Sequence, residues 1–327
     1  MVRPRGDRPT LGRRGYRDRT GPRRCLSGPA SGDRTMTEIR VAFDANNHLG
    51  ETPLWSVAEQ TLWWVNCEHE PELHRWHPGS GAHRIWPMPR RVGGFVFKAS
   101  GGLLVALADG LYDFDPESGD LSLRAPSPFP EHVHLHECAC DRQGRFWIGG
   151  YDTRYISGKS SADAAWCRLD GDRLTPVVAG IHVANGLAFA PDGRTMYAVT
   201  SPTRLVEAFD LDLATGELAN RRPFVTLGEN EGFADGATVD AEGGYWFANV
   251  AAGALRRYRP DGTLDRIVRL PFSNPTKLAF GGPDLTTLYV TSTQIAMPPV
   301  TPPSVDNGSV FALEPRERGL PEVPFAG

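Results

Sequence analysis

The chain has 327 residues, 40% hydrophobic, 23% charged and 9% aromatic, enough to bury one large core or two modest ones and too apolar for disorder to be its main state. Its 36 glycines and 28 prolines, about a fifth of the chain, favour many tight turns over long helices, and no apolar run approaches the roughly 20 residues of a membrane-spanning helix. The net charge of −4 is uneven: residues 1–35 hold ten arginines and three aspartates, a net +7 that leaves −11 on the other 292 residues, and so acidic a body excludes a nucleic-acid-binding domain.

The Arg-rich start lacks the apolar stretch of a secretory signal. A transit peptide or a basic arm would share its composition, but Met36 opens like an ordinary start, so residues 1–35 are expected to be a disordered extension that need not belong to the native protein. The five cysteines, Cys25, Cys67, Cys138, Cys140 and Cys167, are irregularly spaced, and without an export signal they point to a reduced, cytoplasmic protein in which Cys67 and Cys167 are core thiols.

From residue 60 onward one pattern recurs: a polar turn with Gly, Asp or Gln, then a short apolar and β-branched run. Its six copies align on Trp63, Leu104, Trp147, Tyr197, Trp246 and Tyr289, spaced 41, 43, 50, 49 and 43 residues apart. That period suits the four-stranded blade of a propeller, and amphipathic helical patterns of the same length are absent. Second strands follow with period-two alternation, as in Leu111-Tyr112-Asp113-Phe114-Asp115 and Val206-Glu207-Ala208-Phe209-Asp210-Leu211. The expected fold is all-β, a six-bladed β-propeller over residues 36–327 as a single domain. A strand near Ile39–Phe43 is expected to join the blade containing Ser309–Leu313 and close the ring, which leaves no free sheet edge.

The inner strands of such a ring line a channel, where polar residues in otherwise apolar segments are the ones to follow. Four segments qualify, containing in turn Glu51, the pair His134 and His136 with Glu137, Asn185-Gly186, and Asp235-Gly236. Asn-Gly and Asp-Gly are also the commonest turn dipeptides. Their equivalent placement, seven residues before Asp192 and Glu242, is what argues for convergence on one axis. A Glu, an Asp and an Asn carbonyl brought together there make an oxygen-rich site suited to a hard divalent cation.

The segments Leu49-Gly50-Glu51 before Pro53-Leu54-Trp55, Asn185-Gly186-Leu187-Ala188-Phe189 with Asp192-Gly193, Asp235-Gly236 with Val239-Asp240-Ala241-Glu242-Gly243, and Phe280-Gly281-Gly282 with Leu288-Tyr289-Val290-Thr291-Ser292 resemble the senescence-marker-protein/gluconolactonase family, which includes regucalcin-like and luciferin-regenerating-enzyme-like proteins. The likeness spans residues 37–327. It implies a six-bladed propeller with a central metal site, and a divalent-metal-dependent hydrolase that opens a lactone or related ester. It also implies one cation, calcium before zinc, manganese or magnesium, held by Glu51, Asn185 and Asp235, with Asp235 doubling as general base.

One segment departs from that pattern. Counted back from Asp141, Gly144 and Trp147, His134 stands where the family has a sugar-binding Arg, His136 where it has Asn, Glu137 for Asp and Cys138 for Gly. Imidazoles in place of polyol donors imply a substrate less hydroxylated than a sugar lactone. His134, His136, Glu137 and Trp55 are then the expected substrate contacts, with His136 also a catalytic acid or base. Strict alternation would put His134, His136, Cys138 and Cys140 on one strand face and Leu135, Glu137 and Ala139 on the other, a poor geometry for tetrahedral zinc. The expected partner is a small molecule, with no nucleic acid or membrane, bound by a monomer or weak homo-oligomer. A lyase or isomerase reaction at the same metal, and a non-catalytic metal-binding propeller, are the alternatives.

Overall fold

Short β-branched and aromatic runs between glycine turns leave little scope for helix, and the described residues form strands and turns only. The structure, a computed structural model, describes residues 38–297, 304 and 307–327. The stretch 1–35, expected to be a disordered extension, lies outside the described residues.

Strands pair antiparallel in runs of four that follow the chain. Gly50–Ser56, Thr61–Asn66, Glu72–Trp76 and His83–Pro87 form one sheet, and Val92–Phe97, Leu103–Leu107, Gly110–Phe114 and Leu121–Pro126 the next. A sheet of eight combines the runs beginning at Val133–Cys140 and at Val183–Phe189, which share one pairing between Tyr151 and Val183. Another sheet runs from Phe233–Val239 to Leu264–Arg269. In the last, Pro275–Gly281 and Thr287–Ser292 pair onward to Val310–Leu313, whose outer edge is covered by Arg40–Phe43 from the start of the described chain. The expected closure by the strand near Ile39–Phe43 is therefore present, with Val41 opposite Phe311.

All six aligned repeat residues, from Trp63 to Tyr289, fall on the second strand of their run. The first strands pack on one another in a closed cycle, the Gly50–Ser56 strand touching both the Val92–Phe97 and the Pro275–Gly281 strands. Six apolar clusters fill the spaces between neighbouring runs of four strands. One of them stacks Trp63 on Trp86 against Phe95, and another sets Trp246 beside Phe280. Cys67 and Cys167 are fully buried in two of these clusters, as expected of core thiols.

The repeated Asp-x-x-Gly-x-x-Trp motif has a structural cause. Asp240 accepts the backbone N–H groups of Glu242 and Gly244 on Oδ1, and on Oδ2 the indole N–H of Trp246 and the Arg257 Nε–H, both at 2.8 Å. Asp141 repeats the arrangement with Gln143, Arg145 and Trp147. Each carboxylate thus ties a turn to the tryptophan on the second strand, and both are fully buried. The C-terminal residues then cross between sheets: Ala241 N–H donates to Arg318 C=O, Phe325 N–H to Phe97 C=O, and Ala326 N–H to Gly144 C=O.

Replacing Asp240 with Ala leaves a buried guanidinium and an indole N–H short of an acceptor, so the variant should lose about 3 kcal/mol of stability. Urea unfolding checks this, and a loss below 1 kcal/mol would refute the structural role of the motif.

Candidate active site

Each first strand breaks register against its neighbour once. The breaks fall between Glu51 and Leu54, Val92 and Gly94, Leu135 and Cys138, Asn185 and Ala188, Ala234 and Ala237, and Pro275 and Leu278. A bulge inserts an unpaired residue and re-aims side chains. Gly186 meets this with φ +67°, and its carbonyl accepts the buried Tyr245 hydroxyl at 2.8 Å. Thr52 occupies its bulge at φ +47°, where a β-branched residue is strained, and its N–H donates to Glu51 Oε2 at 3.0 Å.

The bulges also overturn the expected alternation around residue 136. His136 and Glu137 lie inside the break, so both are buried and both face the groups described below, while Cys138 joins an apolar cluster. The four-residue His/Cys face therefore does not exist as a face.

Glu51, Asn185 and Asp235 are all buried, with exposures of 6%, 8% and 8%. The Asn185 amide donates to Ser201 Oγ at 3.0 Å and its side chain hydrogen-bonds His136. Burial pushes the Glu51 carboxyl up to about 7, with the Glu137 charge adding to the effect and Lys277 opposing it. Asp235 is raised well above the usual carboxylate range by burial and by the charges of Glu51 and Glu137. Glu137 is raised by burial and held back by Lys277, whose ammonium lies 2.9 Å from Oε1, and by the Leu187 and Ala237 N–H groups. Burial works against the charge on Lys277, but Glu137 and Glu51 outweigh it and hold the ammonium above its ordinary value.

Three carboxyl groups share one ammonium in a desolvated centre, so their full ionisation would leave two negative charges in surplus, which is why Glu51 and Asp235 are raised. The other nearby cation, Arg91, is already paired, with its Nε 3.0 Å from Glu68 Oε1. The residues present fit a hard divalent ion, both in charge and in offering only carboxylate and amide oxygens.

His136 adjoins this centre, and both His134 and His136 lie beside Arg91. His136 is held well below its usual value by burial and by the charges of Arg91 and Lys277, and is therefore neutral; its Nδ1 lies 3.2 Å from Arg91 Nη2. His134 is lowered by burial and by Arg91, and sits opposite Tyr151 across the strand pair. Trp55 is not brought to this place. It is buried between sheets, stacked on Tyr289 with ring centroids 5.7 Å apart, so it packs the core and does not wall a pocket. Sequence reasoning missed Lys277 and Arg91, whose charges read as solvated faces until the bulge and the strand start turn them inward.

Among the described residues, one group of three acidic or histidine ligand atoms lies within 4.8 Å of one another: His132, Asp152 and Asp163. Arg154 Nη2 lies 2.9 Å from a carboxylate oxygen of each aspartate, so a cation is already in place. Asp163 belongs to this outer cluster and not to the buried centre. Behind the centre, a cavity of about 60 Å³ lies between the inner strands and Leu320–Val323, with Cys138, Arg142 and Lys277 on its wall.

The raised Glu51 value makes a pH prediction. The unfolded carboxyl ionises near 4.5 and the folded one near 7, so the cation-free protein should lose up to about 3 kcal/mol as pH rises through that window. Below 4.5 the penalty is absent; above 7 it is complete. Calorimetry at pH 5.5 and 8 in chelator should show the lower Tm at pH 8, and excess calcium should reverse the order. A chelated protein more stable at pH 8 would contradict the assignment.

Residues 49–294 match the SMP-30/Gluconolactonase/LRE-like region. The chain is 35% identical to 6-deoxy-6-sulfogluconolactonase of Pseudomonas putida, over 85% of this chain and 95% of that one. It is 34% identical to L-arabinolactonase of Azospirillum brasilense, over 89% and 96%. Its structure is similar to that of a calcium-binding protein, regucalcin, from Agrobacterium tumefaciens, with a TM-score of 0.81 and 27% identity over 89% of this chain and 98% of that one.

Proposed function

The chain belongs to the SMP-30/gluconolactonase/LRE-like family and is a gluconolactonase-like hydrolase, and from that premise we propose that it opens a lactone ring with the help of one divalent cation. The observation that carries this reading is the gathering of three buried carboxyl groups, Glu51, Glu137 and Asp235, around the single ammonium of Lys277. Their strands are read as the inner strands of a six-bladed propeller, residues 36–327 as its one domain, and Glu51, Asn185 and Asp235 as the cation's ligands. Calcium suits a wholly oxygen donor set best, ahead of manganese, magnesium and zinc.

When bound, the cation would supply Lewis acidity to the ring carbonyl and a more acidic water. Asp235 takes the proton of the attacking water and returns it to the ring oxygen as the acyl bond breaks. Neutral His136, hydrogen-bonded to Asn185, is the second group able to carry that proton. His134, His136 and Glu137 border the substrate. Two imidazoles, one of them already bonded to Arg91, offer few donors to a polyol, which favours a lactone with few hydroxyls. The lactone is taken up in the cytoplasm by a monomer or weak homo-oligomer.

Chelation followed by add-back of calcium, manganese, magnesium or zinc, with turnover of a lactone panel as readout, tests this reading. Activity should vanish with the metal and return with at least one ion. Asp235→Ala should lower kcat by about 10²-fold or more with the fold kept by circular dichroism. Unchanged turnover in chelator, or full activity in Asp235→Ala, would end it.

A further inference from the structure

Arg91 precedes the Val92–Phe97 strand and enters the wall beside the buried centre with only 9% of its side chain exposed. A guanidinium carries five N–H donors in a fixed fork. Among the described residues three are used: Nε toward Glu68, Nη1 to the Leu135 carbonyl at 3.1 Å, and Nη2 toward His136 Nδ1. Two remain. The ring of Tyr151 lies under the guanidinium, 5.1 Å from its centroid, and fixes its plane. Tyr151 is the cross-strand partner of His134, whose buried Nδ1 has no hydrogen-bond partner. The wall thus presents two spare guanidinium donors and an unsatisfied imidazole nitrogen.

We propose that Arg91, with His134, receives an anionic substituent of the substrate, a carboxylate or sulfonate carried on a ring carbon away from the lactone carbonyl. Glu68 takes only the Nε–H of Arg91 and Asp109 is paired with Arg90, which leaves the two spare Nη–H groups for the acid. A planar fork with two free N–H groups matches the two oxygens of such an acid, and the neutral His134 adds a third contact without a competing charge. The site then reads the two ends of one molecule differently: carboxylates and a cation at the carbonyl, a guanidinium at the acid.

This rests on the lactonase reading, and the test separates the two. Hydrolysis is compared for a γ-lactone bearing a carboxylate on the ring carbon next to the ring oxygen and for its hydroxymethyl counterpart. Binding of tetrahydrofuran-2-carboxylate, which has no ester to open, is measured alongside by calorimetry. The wild-type protein should favour the acid at least tenfold in kcat/KM, mainly through KM. Arg91→Met should bring that ratio to about one and abolish binding of the ether acid, and Arg91→Lys should restore part of both. Binding that depends on Arg91 without hydrolysis of either lactone sinks the lactonase reading and keeps this one. Hydrolysis without preference for the acid, an Arg91→Met variant that loses both substrates alike with the ratio kept, or no binding of the ether acid, overturns it.

Discussion

The rest of the structure depends on one constraint: the six first strands pack on one another in a closed cycle, and each breaks its pairing once. An unbroken strand would alternate faces and send every second polar residue into an apolar cluster between sheets. The bulge lets consecutive residues such as His136 and Glu137 both turn away from those clusters, and lets Gly186 and Asp235 leave the ladder while residues such as Asn185 and Ala234 beside them stay paired. Strain at Thr52 and the left-handed turn at Gly186 are local costs of that geometry, borne because the surrounding sheets are fixed by their own tryptophans and buried aspartates.

Charge is the second consequence. Gathering Glu51, Glu137 and Asp235 in a desolvated centre is unfavourable unless they are neutralised, and Lys277 alone cannot do it. Its ammonium commits to Glu137, which also accepts the Leu187 N–H, so Glu137 is satisfied within the protein. Glu51 and Asp235 each accept a backbone N–H, from Thr52 and Gly236, but have no ammonium bound to them and raise one another. The three carboxyl groups therefore differ: Glu137 is locked into structure by an internal cation, and Glu51 and Asp235 have no such partner of their own.

The all-β class, the repeat period, the closing strand and the burial of Glu51, Asn185 and Asp235 were legible in the chain because each leaves a local mark: alternation, a turn dipeptide, or a residue repeated at equivalent positions. What was not legible traces to the bulges. Lys277, between Thr276 and Leu278, reads as one solvated residue of an alternating strand, and only the break between Pro275 and Leu278 turns it toward Glu137. Arg91 follows Arg90 in a turn and looks equally solvated, yet the two diverge, Arg90 outward to Asp109 and Arg91 inward to Glu68, Leu135 and His136. Trp55 failed in the opposite sense: next to a bulge it looks like a pocket wall, but it lies after the break, where alternation resumes and directs it onto Tyr289.

The same geometry separates stability from chemistry. The six apolar clusters and the two aspartate–tryptophan ties are built from residues other than Glu51, Glu137, Asp235 and Lys277, so the packing between the strand runs does not draw on the centre. The centre is therefore free to be unfavourable in isolation. A ligand present at 100 times its dissociation constant adds about 2.7 kcal/mol to the folded state, close to the penalty expected from one raised carboxyl. A cation at such a level would bring the centre near to neutral cost while leaving its carboxylates ionised, which is the state in which Asp235 can accept a proton from water.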